Sequence, residues 1–144
     1  GYYVTETGVE ADIYIDGASA GNPGASGIGI FIKGEGHLIK ISEVIEDTNN
    51  HVAEFKALVR GLEEAKKLGT DFVWMRSDSK IVVSSIEKEY VKSEEFKPYL
   101  EQALAIIETI PTFFIKWIPD KENRAADALA RQAVQTRKSA VYKE

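Results

Sequence analysis

The sequence predicts an α/β domain with a five-stranded mixed sheet flanked by helices, and three observations support this class. Five short runs are apolar or alternate between apolar and polar residues, as strands do. Four longer segments have the spacing or the capping residues of helices. Only turns separate the first three strand-like runs, whereas helices separate the later ones, which predicts an antiparallel meander followed by parallel strands.

The first three strands are expected to form the meander. Residues 12–16 alternate, with Ile13 and Ile15 on one face. A glycine-rich turn follows, and residues 27–32 are expected to form the partner strand. A second short turn leads to a third strand over residues 37–44. Successive strands joined this closely pair antiparallel.

A helix is expected next, because Asn49 and Asn50 are typical N-cap residues. In the segment that follows, Leu58, Leu62 and Ala65 recur at helical spacing. A basic last turn and a glycine mark its end. The apolar stripe predicts that this helix packs against the sheet.

The second half of the chain alternates strands and helices. Residues 72–75 are nearly all apolar, which predicts a strand covered on both faces and a core position for Trp74. Phe114, in a strand expected over 113–118, is also assigned to the core, and packing is the favoured role for Trp117. Further helices are expected over residues 79–87, 94–108 and 123–137.

The composition is that of one compact domain. The chain has 144 residues, of which 44% are apolar, and no run is long and apolar enough to span a membrane. We expect residues 1–9 to be a disordered or non-native amino end, 10–137 the domain, and 138–144 a charged tail that frays. The absence of cysteine excludes disulfides and thiolate metal sites. A cytoplasmic monomer is the default expectation.

The formal net charge of −5 argues mildly against a nucleic-acid binder, because such proteins usually carry a basic stripe. Two bound divalent cations would offset most of this charge, although they would not create a basic surface. Phosphate binding is therefore expected to be local and modest.

Four carboxylates lie where different predicted elements begin or end, and they are the main candidates for chemistry. An acid beside a buried apolar strand is costly unless a cation meets it. The carboxyl ends of parallel strands meet at one edge of a sheet, where ligands gather. A magnesium site is therefore predicted there, with oxygen ligands from Asp16, Glu54, Asp78 and Asp127.

Each of these acids taken alone has an ordinary structural explanation. Asp16 precedes a glycine and is typical of a turn. Glu54 suits the first turn of a helix, where the dipole favours acids. Asp78 and Asp127 are equally compatible with helix caps or first turns. Capping does not explain acids on core-facing positions of four elements, so we favour the metal site for the set.

Four motifs in order resemble the type-one ribonuclease H family, over residues 10–137. They are Tyr14–Gly24, Asn50–Phe55, Ser77–Ser79 and Asn123–Ala130. The resemblance implies a ribonuclease H-like fold and an endonuclease that cuts the RNA strand of RNA–DNA hybrids, leaving a 5′-phosphate and a 3′-hydroxyl. It also implies two Mg²⁺ ions, with Mn²⁺ as a substitute. In this family pattern Asp16 bridges both ions, Glu54 and Asp78 complete one, and Asp127 holds the other.

The resemblance further implies contacts with the hybrid substrate. Asn22 is placed to reach a 2′-hydroxyl, the group that distinguishes RNA from DNA. The remaining expected substrate-binding residues are Asn50, His51, Lys80 and Asn123.

The chain also departs from the family, which keeps other functions open. Trp117 stands where many relatives have a histidine, Asp120 replaces a frequent basic residue, and no basic, tryptophan-rich segment occurs between Ser79 and Leu100. A weakly active or inactive nucleic-acid-binding module on the same fold is the main alternative. A different nuclease, or a resolving or integrating enzyme, is the third. Asn22 and Asn123 favour the hybrid ribonuclease over this last class.

Overall fold

The computed structural model describes residues 8–34 and 36–144, which form one six-stranded mixed sheet with helices on both faces. Residues 1–7, most of the expected amino end, lie outside the described residues. The strands are β1 Glu10–Ser19, β2 Gly24–Gly34, β3 His37–Thr48, β4 Phe72–Ser77, β5 Thr112–Trp117 and β6 Ala140–Lys143. The helices are α1 Asn50–Lys67, α2 Lys80–Lys88, α3 Lys97–Ile107 and α4 Arg124–Thr136, with a 3₁₀ turn at Asp120–Glu122 before α4.

The predicted meander and parallel strands are both present. The strand order is β5-β4-β1-β2-β3-β6. β1, β2 and β3 pair antiparallel, whereas β4 runs parallel to both β1 and β5. The predicted cap at Asn49 is confirmed, because its Oδ1 accepts from Val52 N, and Ser79 caps α2 in the same way, its Oγ accepting from Val82 N.

The sheet has six strands rather than the predicted five, because the carboxyl end pairs with the free edge of β3. Val141 lies opposite Ile41, and Leu38 and Glu144 exchange backbone hydrogen bonds. β6 is four residues long and largely exposed. Four residues are too few to show an alternating pattern, so the tail was expected to fray rather than to pair.

Helices α1, α2 and α3 cover one face of the sheet and enclose the main core. Ile13, Ile15 and Met75 point into it and are at most 1% exposed. A Cβ on Gly61 of α1 would lie 2.9 Å from Ile15 Cγ2, so the glycine permits the close packing of α1 on β1.

Helix α4 packs on the opposite face, against β1, β2 and β3. Two glycines of β2 make this approach possible: a Cβ on Gly29 would lie 2.1 Å from Ala126 O, and one on Gly27 would lie 2.6 Å from Ala133 Cβ. Ser42 Oγ of β3 donates to Leu129 O at 2.7 Å. This contact fixes α4 on the sheet and, with it, the position of Asp127.

The same arrangement leaves β4 and β5 uncovered on the face that carries α4. Trp74 is 41% exposed and Phe114 47% exposed, so their predicted core positions are wrong. The apolar run over 72–75 correctly indicated a strand, but helices cover only one face of it. No helix in the described part of the chain is long and apolar enough to cross a membrane.

Candidate active site

Three of the four predicted carboxylates converge at the carboxyl ends of β1 and β4. One carboxylate oxygen from each of Asp16, Glu54 and Asp78 lies within 4.8 Å of the other two. β1 and β4 are parallel and in register, with Ile15 opposite Ser77, so the residues that follow each lie side by side. The topology therefore places Asp16 and Asp78 together, as predicted.

Glu54 reaches this point because α1 passes unusually close to β1. A Cβ on Gly17 would lie 2.4 Å from the carbonyl carbon of Ala53, so only glycine allows the two backbones to meet there. Gly17 directly follows Asp16, and Ala53 directly precedes Glu54. This contact places the two acids next to each other.

Asp127 lines the same cleft, which has a volume of about 600 Å³, but its carboxylate is already engaged. Arg131, one turn further along α4, donates from Nε to both Asp127 oxygens, at 3.1 and 2.9 Å. Asp127 also interacts with Asp16, whose pKa it raises, but it is not one of the three carboxylates that lie within 4.8 Å of one another. The i, i+4 spacing of Asp127 and Arg131 is the sequence signal that could have indicated this ion pair.

The pKa values of the three clustered acids are all raised, because the acids are partly buried and lie close to other carboxylates. Asp16 is buried, and this burial, reinforced by the charges of Asp78 and Asp127, raises its pKa from 3.8 to about 9. The Gly17 N–H donates to Asp16 Oδ1 at 3.0 Å and opposes this shift only weakly. A carboxyl whose pKa is raised in this way ionises more readily when a cation lies beside it.

The pKa values of the other two acids are shifted in the same direction. Burial raises the pKa of Glu54, while hydrogen bonds from Ser79 and His51 oppose the rise. Burial also raises the pKa of Asp78, aided by the nearby charges of Asp120 and Asp127. Asp120 thus adds a further negative charge to the cleft, at the position where the sequence departs from the family.

These residues suit a divalent cation. The donors are carboxylate oxygens, which are the ligands preferred by Mg²⁺, Mn²⁺ and Ca²⁺ rather than by softer metals. Their separation of less than 4.8 Å allows one ion to contact several of them. A bound cation would also reverse the upward pKa shifts by stabilising the ionised carboxylates.

Asn123 holds the cluster together from within. Its side chain is buried, and Nδ2 donates to Ile15 O at 2.9 Å and to Asp78 Oδ2 at 3.2 Å. It therefore links the ends of β1 and β4 to the start of α4. Its Oδ1 is buried and has no hydrogen-bond partner among the described residues, which leaves an acceptor within the site.

The other predicted substrate-binding residues divide between the lining of the cleft and the exposed surface outside that lining. His51 Nδ1 is 3.3 Å from Glu54 Oε1, and Asn50 Oδ1 accepts from Ser19 N at 2.9 Å. Asn22 is exposed on the turn between β1 and β2, and Lys80 is exposed at the start of α2. Asn50 and His51 line the cleft, together with Ser19.

Trp117 contacts the site through its indole. Its Nε1 donates to Asp78 O at 3.0 Å, and Lys80 Nζ lies 5.0 Å from the ring centroid. The ring is 39% exposed, so it both packs and faces solvent. This hydrogen bond fixes the backbone of a candidate metal ligand, a role that the sequence did not indicate.

Comparisons with known proteins match this fold. A family model described as reverse transcriptase-like matches residues 14–133. The chain is 42% identical over 125 residues to "Putative hydrolase EbsB" of Enterococcus faecalis, covering 85% of the chain and 93% of EbsB. It is 33% identical to the bifunctional protein Rv2228c of Mycobacterium tuberculosis, but there it covers only 35% of the relative's length.

Two solved structures extend the comparison. RNase H1 of Halobacterium salinarum matches with a TM-score of 0.82 at 28% identity, covering 88% of this chain and 98% of that one. LC11-RNase H1, solved in complex with an RNA/DNA hybrid, matches with a TM-score of 0.78 at 33% identity, with the same two coverages.

Proposed function

The chain belongs to the reverse transcriptase-like family of ribonuclease H domains, and we propose that it is a metal-dependent endonuclease that cuts the RNA strand of RNA–DNA hybrids. Family membership confirms the resemblance that its motifs predicted, and the fold is that of ribonuclease H. The substrate, the ions and the ends of the products belong to the proposal.

The convergence of Asp16, Glu54 and Asp78 carries this proposal. Three carboxylates with raised pKa values at one edge of a sheet form a site that gains stability when a divalent cation binds. The cluster favours phosphodiester hydrolysis over simple nucleic-acid binding. A binding site for a polyanion has no need of several acids in one place. The hybrid bound by LC11-RNase H1 supports the choice of substrate.

In the proposed mechanism each acid has a distinct position. Asp16, the most buried of them, would hold the Mg²⁺ ions, and Glu54, Asp78 and Asp127 would supply further oxygen ligands. Metal ions bound there would supply activation of the attacking water and stabilisation of the departing 3′ oxygen, and the proposed products carry a 5′-phosphate and a 3′-hydroxyl. Mn²⁺, which accepts the same oxygen ligands, is expected to replace Mg²⁺.

The residues around the cluster orient the ligands and the substrate. Asn123 and Trp117 both bond to Asp78 and hold it in place. We assign contacts with the hybrid to Asn22, Asn50, His51 and Lys80, and a place near the leaving phosphate to Asn123. Polar residues of this kind can distinguish RNA from DNA by contacting the 2′-hydroxyl, which only RNA has.

The test is cleavage of end-labelled RNA–DNA hybrid, double-stranded RNA, double-stranded DNA and single strands, each with Mg²⁺, Mn²⁺ or a chelator. We expect scission of the RNA in the hybrid alone, and only with a metal ion. Asp16→Asn is expected to abolish it, whereas Asp12→Asn is expected to retain it. Asp12 lies on the same strand, four residues earlier, and pairs with Arg76.

Other results would favour the other functions. Hybrid binding without scission under any ion, by folded protein, would indicate the binding module. Scission of double-stranded DNA in preference to the hybrid would indicate another nuclease of this fold. Cleavage by Asp16→Asn at a near-normal rate would contradict the role of the cluster.

A further inference from the structure

The uncovered part of the sheet carries a surface that the proposed chemistry does not use. We define the β4–β5 face by five of its outward-pointing side chains, which are Phe72, Trp74 and Arg76 on β4 and Phe114 and Lys116 on β5. They alternate with core residues along each strand, so all five point away from α1.

The three aromatic rings form one continuous cluster. Trp74 and Phe114 are stacked with ring centroids 4.8 Å apart and an angle of 24° between the rings. The Phe72 ring lies 5.7 Å from Trp74 and 6.0 Å from Phe114. Both Trp74 and Phe114 remain more than two-fifths exposed, so their outer surfaces are free to stack with a planar group.

Cations adjoin this cluster on the side toward the active site. Arg76 and Lys116 are partners in the register between β4 and β5. Lys116 forms no ion pair with any residue that the structure describes, and neither β4 nor β5 contains an acid. Arg76 is paired with Asp12 at 3.0 Å, so part of its charge is compensated.

The face runs directly into the candidate active site. Asp78 follows β4, so Arg76 precedes it by two residues and Trp74 by four. At about 3.3 Å per residue, the cations lie roughly 7 Å and the aromatic cluster roughly 13 Å along the strand from Asp78. A chain leaving the cluster of acids in this direction would meet cations first and aromatic rings next.

We propose that the β4–β5 face binds a single-stranded nucleic-acid overhang that extends from the hybrid, with Lys116 and Arg76 meeting its phosphates and the aromatic cluster stacking its unpaired bases. Exposed rings on a sheet surface, bordered by cations, are the arrangement with which single strands are bound. The charges and the continuity with the cleft favour this occupant over a second copy of the chain. The proposal rests on the proposed function, since it requires a nucleic acid in the cleft.

The test compares a blunt hybrid with four hybrids that each carry an overhang of about eight nucleotides, on the 5′ or 3′ end of either strand. Binding is measured by fluorescence anisotropy in Mg²⁺. The Asp16→Asn protein is used because it is expected to bind the hybrid without cleaving its RNA strand. We expect one of the four overhangs to tighten binding about tenfold, the gain that stacking of a single base supplies. The gain in affinity should be confined to one end of the hybrid, because the β4–β5 face lies on one side of the cleft.

Two variants test whether the β4–β5 face causes the gain in affinity. Trp74→Ala, added to Asp16→Asn, is expected to remove the gain while leaving affinity for the blunt hybrid unchanged. Phe114→Ala is a second variant with the same expectation, should Trp74→Ala fail to fold. Tyr90→Ala is the matched control, because Tyr90 is 60% exposed but lies after α2, away from the face.

Three results would overturn the proposal. Equal affinity for the blunt hybrid and all four overhangs is the first, and a gain that persists in both Trp74→Ala and Phe114→Ala is the second. The third is a sedimentation experiment in which the unmodified chain is a dimer and Trp74→Ala is a monomer. A second copy of the chain would then be the occupant of the β4–β5 face. Cleavage of the blunt hybrid by the protein with Asp16 intact is measured in parallel, so failure of the proposed function is recognised separately.

Discussion

Asp16 is the residue at which folding and metal binding impose opposite requirements. Its pKa is raised to about 9 in the folded, metal-free chain, chiefly by burial, compared with 3.8 for an unperturbed carboxyl. The folded state therefore binds this proton more tightly than the unfolded state does. The stability that this provides is fully present below about pH 4 and is lost as the pH rises towards 9.

We predict that Asp16→Asn stabilises the metal-free protein at pH 8, because at this pH the carboxyl ionises readily in the unfolded chain but not in the folded one, and an amide removes that advantage of the unfolded chain. The increase in the free energy of unfolding is expected to be on the order of 1–4 kcal/mol. Urea denaturation in a chelator measures it. The difference between the two proteins should shrink as the pH falls towards 4, and a difference independent of pH would contradict the assignment.

Arg131 competes with a metal ion for Asp127. Its Nε contacts both oxygens of that carboxylate, but its side chain is 67% exposed, so the ion pair is weak. We predict that Arg131→Gln tightens Mg²⁺ binding by up to about fivefold, corresponding to an ion pair worth at most about 1 kcal/mol. Isothermal titration calorimetry measures the dissociation constant.

Arg124→Gln is the matched control for this prediction. It removes the same charge from the same helix, but Arg124 bonds to the carbonyl of Lys121 rather than to an acid. The control is expected to change affinity less than Arg131→Gln does. Weaker metal binding in Arg131→Gln would instead show that the arginine supports the site.

At the scale of elements, the position of α4 on β2 determines where Asn123 and Asp127 lie. A Cβ on Gly29 would come within 2.1 Å of Ala126 O. Because this oxygen is a backbone atom, relieving the clash requires the helix itself to move. We predict that Gly29→Ala displaces α4, lowers the free energy of unfolding by about 3 kcal/mol, and weakens metal binding. Denaturation and calorimetry on the same sample measure both effects.

Gly69→Ala separates this effect from a general cost of replacing glycine. Gly69 has a φ of +66°, and an added Cβ would meet open space, so the substitution strains the backbone without touching α4. We expect it to cost about 1 kcal/mol of stability and to leave metal affinity unchanged. Equal losses of metal affinity in both variants would mean that α4 does not position the site.

The elements that the sequence predicted are those with a strong local pattern. Alternation in β1, the Asn49 cap of α1 and the apolar run of β4 each depend on a few neighbouring residues. β6 and the exposure of Trp74 depend instead on which partner covers a strand. That information lies in the packing of α4 and in the free edge of β3, so no local pattern contains it.

For the whole molecule, topology explains why the site was predictable in part. Asp16 and Asp78 could be placed together because parallel strands bring their carboxyl ends to one edge. The bonds from Trp117 and Asn123 to Asp78 depend on side-chain positions that only the folded chain determines. The i, i+4 spacing of Asp127 and Arg131 allowed their ion pair, but spacing alone does not show that such a pair forms. The acids were therefore identified from sequence, whereas their partners were not.

Metal ions are expected to change the stability of the whole chain. The net charge is −5, and the cleft concentrates several acids where they repel one another. A cation that binds only the folded state should stabilise it by about 2.7 kcal/mol at a hundredfold excess over its dissociation constant. We therefore predict that Mg²⁺ raises the melting temperature, and that NaCl of equal ionic strength raises it less.

The dependence of this stabilisation on pH distinguishes a bound ion from general screening. Mg²⁺ must displace the proton of Asp16, so its effect should grow as the pH rises from about 6 towards 9, where that carboxyl ionises. Screening by NaCl has no such requirement. Asp16→Asn should lose the Mg²⁺ effect at every pH, while Asp12→Asn should keep it. A melting temperature that responds equally to the two salts in the unmodified chain would contradict metal binding at this cluster.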